Sequence, residues 1–81
     1  MALPEDEDVI PHDFRARAAE RQAMANEYRA RAEVTDDAMM REIFTGLART
    51  HEAMARELER TASRIADIGE ATARITAKFA R

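Results

Sequence analysis

The sequence predicts an all-α protein: an antiparallel helical hairpin with a long, coiled-coil-like second helix, assembling into a helical bundle. Three observations carry that expectation. Met40, Phe44, Leu47, His51, Met54, Leu58, Thr61, Ile65, Ile68, Thr72, Ile75 and Phe79 follow one another in alternating steps of four and three. Such a 3.5-residue repeat keeps one stripe facing a partner along a left-handed supercoil. Two glycines and two prolines in 81 residues, amid abundant Ala, Glu and Arg, favour helix throughout. No run of alternating β-branched or aromatic residues supports a strand.

The chain opens on an acidic stretch, residues 1–10, in which Glu5, Asp6, Glu7 and Asp8 repel one another and Pro4 offers no helix interior. A disordered arm is expected there. A first helix is expected over about 12–33, with Pro11 near its first turn and Asp13 at its positive end. Phe14, Ala18, Ala25, Tyr28 and Ala32 fall on one face, beside Met24. Alanine favours helix but buries little area, so this helix must hold its place by close approach, anchored by Phe14, Met24 and Tyr28. Glu27 and Arg31, four apart, form a weak exposed pair.

Val34, Thr35, Asp36 and Asp37 interrupt the pattern. Thr35 or Asp36 suits an N-cap, and a turn of two to four residues makes the helices antiparallel neighbours. The second helix is expected over about 37–80, which at ~1.5 Å per residue reaches roughly 65 Å. The first helix then pairs with roughly 37–60, leaving Ile65, Ile68, Ile75 and Phe79 for another molecule. With Leu47, Met54, Thr61, Ile68 and Ile75 as d positions, the e positions are Ala48, Ala55, Ala62, Gly69 and Thr76. This row of small residues widens the packing face and admits a close neighbour. Gly69 permits a bend, and Asp67 with Glu70 could cap a new helix there, but the repeat crosses the glycine in register.

Composition excludes several functions. Residues 1–13 carry five acids and no Lys or Arg, while the rest holds 13 basic against 11 acidic side chains. Without a concentrated basic patch, nucleic acid is not expected as a partner. No segment approaches the ~20 apolar residues that span a bilayer, and no signal-peptide pattern opens the chain. The absence of cysteine removes disulfides and thiolate metal sites and fits a cytoplasmic setting. Arginine outnumbers lysine 12 to 1, a hint of a GC-rich bacterial genome.

His51 is the residue most suggestive of chemistry, as a metal ligand or pH switch. Its position on the stripe gives it a structural reading as well, a polar residue that sets register. A helical di-metal site wants Glu-x-x-His, and the residue three before His51 is Ala48. His51 and Glu27 are thus the weak metal candidates, and no metal or cofactor is expected. Glu52, Glu57 and Glu70 fall at outer positions near Arg56, Arg60 and Arg74, as on a solvated face. No nucleophile–base set, phosphate loop or convergent carboxylate pair stands out, so no enzyme is expected.

Tyr28 to Ala32, Thr35 to Asp37, Arg41, Phe44, Leu47, Ala48, Met54, Ala55, Leu58 and Glu59 together resemble a group of short, functionally unassigned proteobacterial helical-hairpin proteins. The same hairpin is similar to half of a ferritin-like bundle, including the small encapsulated type built from two-helix chains. The likeness covers about residues 24–60. It implies a hairpin that dimerises into a four-helix bundle, while the missing Glu-x-x-His departs from that family's iron site.

The expected role is structural or adaptor-like: a helical oligomerisation or protein-interaction module. Its interface would be Met40, Phe44, Leu47, His51, Met54, Leu58, Ile65, Ile68, Ile75 and Phe79, and its partner a second copy, in a homodimer or higher oligomer, or another protein. Two alternatives stand beside it, a degenerate ferritin-like metal-binding half-bundle and an amphipathic surface-binding protein using residues 62–81, where Arg64, Arg74, Lys78 and Arg81 flank the isoleucines.

Overall fold

A computed structural model describes residues 6–80, with side chains from Pro11 onward. The chain is an all-α antiparallel hairpin. Helix α1 spans Asp6–Val34, helix α2 spans Ala38–Phe79, and Thr35, Asp36 and Asp37 join them. The hairpin is a rod, 68 Å long and 21 by 13 Å across.

The turn is held by its own side chains. Asp37 adopts extended backbone, and its Oδ1 accepts from the amides of Met39 and Met40 at 2.9 and 3.2 Å. It thereby satisfies two of the amides that a helix start leaves free. The cap is therefore Asp37, not Thr35 or Asp36. Thr35 serves the turn differently: its hydroxyl accepts from the Asp37 amide, and its carbonyl accepts from Arg41 Nη2 at 2.9 Å.

Two expectations about extent are corrected. Residues 6–10 belong to α1, so the disordered arm expected over 1–10 does not include them; residues 1–5 lie outside the described residues. The physical reason is the macrodipole, because carboxylates near a helix's N-terminal end are stabilised, which offsets their mutual repulsion. Pro11 consequently lies inside the helix rather than at its first turn. The longer α1 also reaches further along α2 than residue 60. Pro11 and Arg15 line a shallow groove with Ile65, Gly69 and Ala73. Beyond Gly69, α2 continues unbroken to Phe79.

The seam between the helices is made of alanine. The buried alanines are Ala18, Ala25 and Ala32 on α1 and Ala48, Ala55 and Ala62 on α2, each set at seven-residue steps, and Pro11, seven before Ala18, is buried as well. No large side chain among the described residues is fully buried. Methyl groups at this spacing let the two backbones approach closely, and no bulky knob separates them. The e row of the heptad is thus the centre of the intramolecular contact, and the a and d stripe lies to one side of it.

Candidate functional site

That offset decides what the a and d residues do. Phe44, His51 and Leu58 lie four before Ala48, Ala55 and Ala62, and Ile65 lies four before Gly69; all four are half-buried beside the seam. Each d residue precedes its e-row neighbour (Arg41, Ala48, Ala55, Ala62, Gly69 or Thr76) by one and so points about 100° away from the line of the seam. Met40, Leu47, Met54, Ile68 and Ile75 are accordingly exposed, with Ile68 at 66% and Ile75 at 58%. Phe79 is 80% exposed at the far end, and Ile43 widens the strip near the turn. Of the ten interface residues expected from sequence, four sit against α1 and six lie on an open face. Ile43 escaped the reading because it falls at a g position, outside the strict stripe, although its side chain is as apolar as its neighbours'.

Helix α1 completes the same face. Tyr28 lies three after buried Ala25 and inserts between two a residues, stacked on Phe44 with centroids 6.2 Å apart and on His51 at 5.6 Å. Such offset stacks contribute about 0.5–1.5 kcal/mol each beyond area burial. One position further round come Arg17, Met24 and Arg31, each preceding a buried alanine by one. Arg17 pairs with Asp13 and Arg31 with Glu27, while their guanidinium groups lie over the Phe14 and Tyr28 rings. The open face is therefore apolar along α2 and arginine-edged along α1.

The opposite face is polar. Arg29 donates from Nε to Glu52 Oε2 at 2.9 Å and from Nη2 to Oε1 at 2.6 Å, a two-pronged bridge between the helices. These hydrogen bonds hold the Glu52 carboxyl below its ordinary range, against the desolvation of its partly covered site, with Arg56 and Arg49 adding attraction. The sequence had placed Glu52 on a solvated face; the seam's shift to the e row brings its b position next to α1. Glu57 and Glu70 do lie on exposed faces, paired with Arg60 and Arg64 and with Arg74.

His51 is held by stacking alone. Its Nδ1 is buried without a hydrogen-bond partner. Of the two candidate metal ligands, Glu27 is committed to Arg31 on an exposed surface, and the carboxylate next to His51, Glu52, is committed to Arg29. No three His, Cys, Asp or Glu side chains converge among the described residues. No helix there is long and apolar enough to cross a membrane.

Comparison of the chain with protein-family models, with curated proteins and with solved structures yields no match. The reading of function therefore rests on the face itself.

Proposed function

We propose that this protein is a helical interaction module, structural or adaptor-like in role, which works by joining its open apolar face to another helical surface. A binding role rather than catalysis is inferred, because no three His, Cys, Asp or Glu side chains converge among the described residues and the apolar strip is the feature left open. The observation that carries the reading is the division of apolar side chains. Apart from Pro11, the described part of the hairpin buries only alanines, whose methyl groups bring about 0.8 kcal/mol each, while Met40, Ile43, Leu47, Met54, Ile68 and Ile75 stand outside. A fully buried Leu, Ile or Met contributes about 1.5–3 kcal/mol, so the larger stabilising resource remains unused in the isolated hairpin. Soluble monomers rarely leave such a contiguous strip open to water.

The test is sedimentation of the intact chain over a range of concentrations, together with thermal melts. Coupled folding and association makes the melting temperature rise with concentration. A chain that sediments as a monomer at every concentration, with a concentration-independent melt, and that retains no helical partner would overturn the reading.

A further inference from the structure

We infer that the open face is closed by a second copy of this chain, α2 lying antiparallel on α2 about a two-fold axis between Glu57 and Leu58. The inference rests on the interaction-module reading and names its partner. The two edges of the face differ in chemistry, and that difference selects the contact. On α1 the outward row is Arg17, Met24 and Arg31, with both arginines already paired. On α2 the outward row is apolar from Met40 to Ile75 except for Thr61, whose hydroxyl donates to the Glu57 carbonyl at 3.0 Å and needs nothing more. A partner must therefore cover α2, with a straight apolar strip of about 50 Å by helix rise. The same row on another copy has that length and that chemistry.

The even spacing of the row about its midpoint allows an antiparallel pairing, and charge selects it over the parallel one. Three apolar residues precede the midpoint, Met40, Leu47 and Met54, and Thr61, Ile68 and Ile75 follow it at the same spacing. Antiparallel pairing sets Met54 against Thr61, Leu47 against Ile68 and Met40 against Ile75 of the second copy. The most exposed isoleucines thus cover the turn end, and Phe79 falls beside Asp36 of the second copy at the end of the rod. Charge agrees. Lys78, in the last turn of α2, comes to the turn of the second copy, where Asp36 and Asp37 lie. Parallel pairing would set Lys78 on Lys78 and Asp37 on Asp37. Near the axis Glu57 approaches its own copy, and Arg60 and Arg64 on the same helix neutralise it.

The chain contains no cysteine, so single cysteines report contacts without background. Met40→Cys and Ile75→Cys are prepared separately, one carrying a mass tag, and oxidised alone and after mixing. The expected result is a disulfide between the two variants on mixing, several-fold above that formed by either alone. The wild-type chain should sediment as a dimer in parallel. Efficient disulfides within each variant alone would mean a parallel seam and overturn the direction while leaving self-association intact. A dimer with no disulfide in any combination places the contact elsewhere and overturns the seam. A wild-type monomer overturns the second copy as partner, including one that floats with anionic vesicles and so yields the face to a lipid surface. Circular dichroism checks that each variant folds; Leu47→Cys with Ile68→Cys replaces a pair that does not and tests the same alignment.

Discussion

His51 shows how magnitudes decide a single position. A buried polar atom without a partner costs about 1–3 kcal/mol, whereas its stack on Tyr28 returns about 0.5–1.5 kcal/mol. Replacing His51 with Leu should therefore raise stability by about 1 kcal/mol, and His51→Phe, which keeps a ring against Tyr28, should raise it further. Denaturant unfolding of the three proteins measures this, and a loss in both variants would mean that Nδ1 has a partner in solution. Glu52 makes the opposite kind of contribution. Its carboxyl is depressed in the folded chain by Arg29, so its stabilising effect is complete above the unfolded value of roughly 4.3 and disappears as pH falls through the lower folded value. Melting temperatures between neutral and acid pH should therefore fall less steeply for Glu52→Gln than for the wild type. Equal slopes would show that the bridge does not persist in solution.

At the scale of the helices, both glycines are helix interiors without a steric purpose. A Cβ built at Gly46 or Gly69 meets nothing within 4 Å. Gly46→Ala and Gly69→Ala should each add about 0.5–1 kcal/mol, and destabilisation at Gly69 would reveal a neighbour packed against it in an assembly. Much of this level was legible in the sequence. The alternating steps of Met40 to Phe79 marked one long helix, and the acidic break at Thr35 to Asp37 marked the turn. What the stripe could not disclose is which of its sides meets α1. Large side chains dominate a periodicity, so Leu47 and Met54 outweigh Ala48 and Ala55 one residue later, and the e row reads only as an edge open to a close neighbour rather than as the contact with α1. The start of α1 was hidden by a conflict between carboxylate repulsion and the dipole, and the fork from Arg29 to Glu52 depended on the seam being placed first.

For the whole molecule, the distribution of apolar surface makes association and stability one question. Deleting residues 74–81 removes Ile75 and Phe79 while sparing all six seam alanines and the segment that faces Pro11. That makes it a cleaner cut than one after Thr61, which would also strip α1 of part of its partner. The shortened chain should keep its helicity at high concentration and associate at least about tenfold more weakly, since each buried isoleucine is worth roughly 1.5–3 kcal/mol. Sedimentation equilibrium of the two lengths reads the difference. Identical association would remove the C-terminal end of α2 from the contact.

A zipper whose teeth are all alike can close one tooth out of step. Slide α1 by seven residues along α2 and small residue still meets small residue, Ala32 moving from Ala48 towards Ala55, Ala25 from Ala55 towards Ala62 and Ala18 from Ala62 towards Gly69. Even the ion pair has a duplicate, because Glu59 stands seven residues beyond Glu52 and would receive Arg29. Tyr28 would still lie between two stripe residues, His51 and Leu58. What denies the chain this second alignment is the brevity of its connection, three residues fastened by Asp37 and Arg41. Splicing a flexible glycine–serine segment between Asp36 and Asp37 should release it. Doubled amide resonances for Tyr28 and its neighbours would then report two interchanging alignments, and a single unshifted set would locate the register's guard in the side chains instead.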